Sequence, residues 1–468
     1  MQRRRIFTGI VLIAVLSIYA QHDHSGSPGV LTVWLTKADS SVLLKKSNTI
    51  RFAKNAEAGA VIEVDPARTF QDIDGFGYTL TGGSALLINR MSALKKDALL
   101  KELFGSNAGS IGISYLRVSL GASDLDPEVF SYNDLPAGQT DPQQEKFSIA
   151  HDRGNLIPVL KKILAINPKI KILASPWSPP AWMKDNGATR GGSLKPEYGA
   201  SYARYFVKYI RAMKAEGITI DALTIQNEPL HPGNNPSLLM LAEQQRDFIK
   251  NNLGPAFKAA GIPTKIIVYD HNLDRPDYPI TILNDPGAKQ YIDGSAFHLY
   301  AGNVNAMSQV HDAHPDRNLY FTEQWTGSTG SFSGDLKWHI KNVIIGTMRN
   351  WSRTALEWNL ASDPGYNPHT PGGCTQCKGA LTIDGNTVNR NVGYYIIAQA
   401  SKFVPAGSER IYSSNATGLS NVAFVTPRGN KVLIVLNEQN NDQAFHIRFS
   451  GRNATYTIPA NAVATMVW

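Results

Sequence analysis

Two glutamates in this chain each close a short β-branched run: Glu228 in Thr224-Ile-Gln-Asn-Glu-Pro229, and Glu323 in Leu319-Tyr-Phe-Thr-Glu-Gln-Trp325. Two carboxyls brought face to face can do chemistry on an acetal carbon. At roughly 5–5.5 Å one attacks the carbon while the other protonates the leaving oxygen; at about 6.5–9.5 Å a water fits between them and the configuration inverts. Either glutamate alone reads as a surface or salt-bridged carboxylate. As a pair, with these neighbours, they read as an acid and a nucleophile. Trp177 and Trp358 add flat rings that stack on the apolar face of a pyranose. Arg117, Asp124, Asn227, His271, His298 and Tyr300 add polar groups at comparable places along the chain. Carboxylates and tryptophans together suit a sugar.

Those places are the ends of eight apolar runs: Asp74–Leu80, Tyr115–Leu120, Ile170–Ser175, Ala222–Gln226, Lys265–Tyr269, Gly294–His298, Asn318–Thr322 and Thr354–Trp358. Helical spacing fills the stretches between. Tyr202, Tyr205, Phe206, Tyr209, Ile210 and Met213 form one apolar stripe, with Gly217 as its stop; Leu336, Ile340, Val343, Ile344 and Thr347 form another. Eight strands alternating with helices predict an α/β fold, a (β/α)8 TIM barrel over 70–400, whose chemistry sits at the C-terminal strand ends. The borders change period. Short strand-like runs precede the barrel within 21–69, and alternating runs without helical spacing fill 401–468. The expectation is a β-sandwich attached to the barrel and built from both chain ends.

The motifs around these residues have a family resemblance. Asp74-Gly-Phe-Gly77, Leu116-Arg-Val-Ser-Leu-Gly-Ala-Ser-Asp124, Ser175-Pro-Trp-Ser-Pro-Pro-Ala-Trp182, Asn227-Glu-Pro229, Ala296-Phe-His-Leu-Tyr300 and Glu357-Trp-Asn-Leu-Ala361 occur in order. Together they resemble glycoside hydrolase family 30 of clan A, the family of glucosylceramidases and β-1,6-glucanases. The resemblance runs from about residue 30 to the last residue. It implies a retaining β-glycosidase with Glu228 as acid/base and Glu323 as nucleophile. Arg117 would stand beside the nucleophile and Asn227 would bind the sugar 2-hydroxyl. Asp124, Trp177 and Trp358 would hold the glucose, with His298 and Tyr300 lining its pocket. The implied partner is a β-glucoside, a glucan or a glycolipid. The chain departs from the animal glucosylceramidase pattern at Gln324-Trp325, and in the loop from Pro364 to Cys377, whose Gly-Gly-Cys run is similar to microbial members. An endo-β-1,6-glucanase is therefore the second reading, and a non-catalytic carbohydrate-binding protein the rival from another class.

Composition excludes other classes. The formal charge is +8, but the basic residues are scattered without interleaved aromatics, which speaks against nucleic acid. No Gly-x-Ser-x-Gly, His-Glu-x-x-His or Walker sequence occurs, and Gly75-Phe-Gly77, lacking a third glycine at dinucleotide spacing, reads as a turn. Arg3–Arg5 followed by the apolar run Ile6–Ala20 reads as a signal peptide over 1–20, too short to span a membrane comfortably. Export to the periplasm or the outside, without stable membrane insertion after cleavage, is the expectation. Only two cysteines exist, Cys374 and Cys377. One C-x-x-C cannot complete a zinc site, so a local disulfide or two thiols closing a loop remain open. Attack and protonation need only two carboxylates, so neither metal nor cofactor is expected.

Overall fold

The computed structural model describes residues 29–54 and 59–468; the expected signal peptide and the leader up to residue 28 lie outside the described residues. Eight parallel strands close into a barrel: β1 (Gly75–Thr79), β2 (Tyr115–Ser119), β3 (Lys171–Ser175), β4 (Ala222–Thr224), β5 (Lys265–Leu273), β6 (Ile292–Gly302), β7 (Asn318–Glu323) and β8 (Ser352–Asn359). Each expected run supplies one strand. β5 and β6 run several residues beyond the predicted ends. Strands covered on both faces read as continuous apolar runs, and β1 and β2 are buried along their whole length.

Gly75-Phe-Gly77 lies inside β1, so it is not a turn. Its glycine has another cause: a Cβ on Gly77 would stand 1.9 Å from the Tyr115 carbonyl oxygen of the neighbouring strand. Tyr115, Leu173, Ala222, Ile267, Ala296, Tyr320 and Leu356 form a buried cluster contributed by seven of the eight strands. Outside the barrel, the helix Gly199–Ala215 buries Tyr202, Tyr205, Phe206, Tyr209 and Met213 as its stripe requires, and Gly217 turns left-handed at φ +82° just beyond it. The second stripe forms Phe332–His339 and continues through a wider π-type turn over Ile340–Gly346.

Both ends of the chain meet in one nine-stranded sheet. Val30–Lys37 pairs on one side with Lys45–Arg51 and on the other with Ala462–Val467. The long strand Ala60–Ile73 changes partner midway: its first residues run parallel to Gln443–Phe449, its later ones antiparallel to Ser408–Ser413. A bridge between Ala53 and Asn453 ties the two ends of the strand order together. Leu31, Val33, Phe52, Ile62, Phe445, Ile447 and Met466 form this unit's own buried core. Arg349, at the end of the helix before β8, fastens the two parts by donating to the Ser413 carbonyl at 3.0 Å and to Asn421 Oδ1 at 3.0 Å.

Candidate active site

The C-terminal strand ends surround a cleft of about 390 Å³. Asp124, Trp177, Asn227, Glu228, Tyr300, Glu323 and Trp358 all line it, as does the neutral His271. Trp177 and Trp358 stack on each other, ring centres 5.4 Å apart. Glu228 follows β4 in a left-handed conformation, φ +46°, and its N–H donates to the Asp270 carbonyl at 3.0 Å. Tyr269 and Asp270 are also left-handed, at φ +74° and +68°, where β5 bulges against β6. Three non-glycine residues in this costly region stand side by side where the chemistry is placed.

A carboxylate oxygen of Glu228 lies within 4.8 Å of one of Glu323. That spacing is at the short limit of the direct-attack geometry and well below the gap an inverting water needs. Glu323 accepts from Arg117 Nη1 on one oxygen and from the Tyr300 hydroxyl, at 2.9 Å, on the other. Glu228 Oε1 meets His298 Nδ1 at 3.1 Å.

Arg117, expected beside the nucleophile among the substrate-binding residues, and His298, expected to line the pocket, have no exposed surface. They stand behind the carboxylates, and Asp270, also fully buried, links them. Its Oδ2 accepts from Arg117 at 2.9 Å, Ser175 at 2.7 Å and Thr224 at 2.7 Å; its Oδ1 meets His298 Nε2 at 3.0 Å and accepts from Thr322 at 2.6 Å. Arg117 Nη2 also donates to Asn227 Oδ1 at 2.6 Å. Both residues are thus positioning groups. Nothing in the sequence singled out Asp270: it is one aspartate in an apolar strand, and only the bulge brings it to the barrel axis.

The electrostatics follow from this packing. Burial opposes a charge on His298, but Glu323, Asp270 and Glu228 raise its pKa from 6.5 to about 9. Burial alone would raise Glu228, and the His298 hydrogen bond and charge bring it below its ordinary value. Together the two directions put the pair's single proton on the His298 side of this hydrogen bond, from which Glu228 can draw it, and the two groups titrate as a pair. Burial raises Glu323, with His298 and Arg117 pulling back. Asp124 is pushed to about 7 by burial and by the charge of Glu323. Burial brings His271 down to about 4 and keeps it neutral.

These values set a pH profile. Glu323 must be ionised to attack, so activity should rise with pH through a value above the ordinary 4.5. The shared proton must be present to be delivered, so kcat/KM on a poor leaving group should fall as pH rises through about 9. Replacing Asp270 by Asn removes one group that holds the proton on His298. The alkaline limb should move down, with about 3–5 kcal/mol of stability lost as Arg117 loses a buried partner. A wild-type alkaline limb at 6.5, the ordinary histidine value, would refute the shared-proton assignment.

Cys374 and Cys377 are joined in a disulfide. They line the cleft beside Trp325, where the chain departs from the animal pattern, and beside His231, Asn234 and Asn272, three residues that the sequence had not marked.

Comparison with known proteins agrees with this geometry. The model of the glycosyl hydrolase family 30 TIM-barrel domain matches residues 73–404, and that of the family 30 β-sandwich domain matches 407–466. An endo-1,6-β-D-glucanase of Trichoderma harzianum is 35% identical over 85% of this chain and 84% of its own. The lysosomal acid glucosylceramidase of Mus musculus is 30% identical over 89% of this chain and 85% of its own. A solved endo-β-1,6-glucanase superposes with a TM-score of 0.87 at 35% identity, covering 94% of this chain and 99% of that one.

Proposed function

The chain belongs to glycosyl hydrolase family 30, and from that premise we propose that it cuts β-1,6-linked glucan internally, by double displacement with retention. The observation that carries the mechanism is the separation of at most 4.8 Å between the Glu228 and Glu323 oxygens. Glu323 attacks the anomeric carbon, and its charge is held by the permanent cation Arg117 and by the Tyr300 hydroxyl. Glu228 delivers the proton it shares with His298 to the leaving oxygen, then takes one from the water that releases the glycosyl-enzyme. Asn227, whose oxygen is engaged by Arg117, offers its amide nitrogen to the sugar 2-hydroxyl. Asp124 binds hydroxyls, and the stacked pair Trp177 and Trp358 forms the pocket wall.

The choice of glucan over glycolipid rests on the higher identity to endo-1,6-β-glucanases and on the cysteine loop beside the cleft. The exposed large apolar side chains among the described residues, such as Leu43, Leu94, Leu241 and Trp338, are scattered along the chain, which supports a substrate in water. A polymer is met outside the cell, so export by the basic, apolar Met1–Ala20 segment belongs to this reading. Purified protein should release oligosaccharides from a β-1,6-glucan and no glucose from glucosylceramide in detergent. Glucose from the lipid with no products from the glucan would reverse the choice.

A further inference from the structure

The disulfide touches both walls of the cleft. On one side, the Cys374 N–H donates to Asp124 Oδ2 at 3.3 Å, and Thr370 N–H donates to the Asp124 carbonyl at 2.9 Å. Gly373 lies so close that a Cβ there would stand 2.4 Å from that carbonyl oxygen. On the other side, Cys377 and Lys378 pair antiparallel with Gly327 and Thr326, directly after Trp325 and close behind Glu323. Ser328 N–H adds a bond to the Gln376 carbonyl at 2.9 Å. The cysteines themselves pack with Leu125, Trp177, Trp358 and Trp325 in one apolar cluster. Among the described residues no side chain donates to the Asp124 carboxylate; the backbone N–H of Cys374, together with Asp124's own, is what holds it.

We propose that the Cys374–Cys377 disulfide is a positioning element of the sugar pocket: it clamps the loop that fixes Asp124 to the segment that follows Glu323. This rests on the reading of the cleft as a glucose site in which Asp124 binds hydroxyls. With the bond intact, the Cys374 N–H stays aimed at the carboxylate and the apolar cluster keeps water from it. With the bond open, the four-residue loop is tied only by its hydrogen bonds, and Asp124 can take up water instead of sugar. The general acid and the nucleophile are held from elsewhere, by Arg117, His298 and Asp270, so the loss falls on binding rather than on the chemical step. Asp124, held near pKa 7 by burial, should also drop toward its ordinary value once water reaches it.

The test uses the native protein on a β-1,6-glucan, oxidised and after reduction with a phosphine, alongside Cys374→Ser/Cys377→Ser. Near-UV circular dichroism checks that the fold survives reduction. Opening the bond should raise KM about tenfold, the loss expected when one charged hydrogen bond to the substrate goes, with kcat little changed. In an Asp124→Asn background the same reduction should raise KM far less, because the residue it positions is already altered. Unchanged KM on reduction, or an equal rise in both backgrounds, would overturn the positioning role. Unchanged KM in Asp124→Asn with the bond intact would overturn that role together with the binding assignment of Asp124. No hydrolysis of the glucan by the oxidised wild type would overturn the substrate reading and this proposal with it.

Discussion

Glu323→Gln should lose essentially all turnover, on natural glucan and activated aryl glucosides alike. An amide cannot form the acylal intermediate. A positioned nucleophile is worth an effective molarity on the order of 10⁵ M or more, so the fall should be at least of that order. The variant should still fold, because the Gln oxygen can accept from Arg117 while its amide nitrogen donates to the Tyr300 hydroxyl, whose own proton turns away. The informative measurement is labelling by a 2-fluoro glucoside that traps the covalent intermediate. Wild type should carry the label on Glu323. Residual activity within tenfold of wild type, or a label on another residue, would remove the nucleophile from this position; a wild type that is inactive and takes no label would restore the carbohydrate-binding alternative.

Glu228→Gln should behave differently, and the difference is diagnostic. Glucan, whose leaving sugar needs a proton, should be cut on the order of 10²–10⁴-fold more slowly, the usual contribution of general acid–base catalysis. A dinitrophenyl glucoside needs no proton to leave, so its first step should be almost spared. The glycosyl-enzyme would then accumulate, because water lacks a base. Added azide needs no base and should restore turnover, giving β-glucosyl azide with retained configuration. The alkaline limb near pH 9 should also vanish from the residual activity on glucan, since it belongs to the proton held between Glu228 and His298. Equal losses on both substrates, with no effect of azide, would show that Glu228 is not the acid.

The barrel was legible because period is a local property. Each of the eight apolar runs stands on a barrel strand, and both helical stripes lie on helices. The two glutamates, the two tryptophans and Asp124 were legible for a related reason: they follow strand ends, and in this architecture strand ends converge. What stayed hidden depends on backbone irregularity. The left-handed pair Tyr269–Asp270 breaks the alternation of β5, so no spacing rule assigns Asp270 to the interior. Arg117 stands beside Glu323, as the resemblance implies, whereas His298, expected to line the pocket, lies buried behind the carboxylates. Residue type alone does not tell a group that touches sugar from one that touches a carboxylate. The loops were unreadable for the same reason. The pairing of Thr326–Gly327 with Cys377–Lys378 joins segments remote in sequence through two residues each.

The sheet that joins both chain ends has a kinetic consequence. Val30–Lys37 is synthesised before any barrel strand, yet one of its two neighbours, Ala462–Val467, comes after all of them. Until then that edge presents unpaired amide and carbonyl groups to any strand that passes, the situation in which register errors and association between chains arise. Contacts of such long sequence separation also slow the search, because the loop entropy is lost before the pairing is gained. Every barrel strand precedes Ala462–Val467 along the chain, so the sheet cannot close before the barrel has emerged. Refolding of the whole chain should therefore show barrel formation first and sheet closure as the late, concentration-sensitive event.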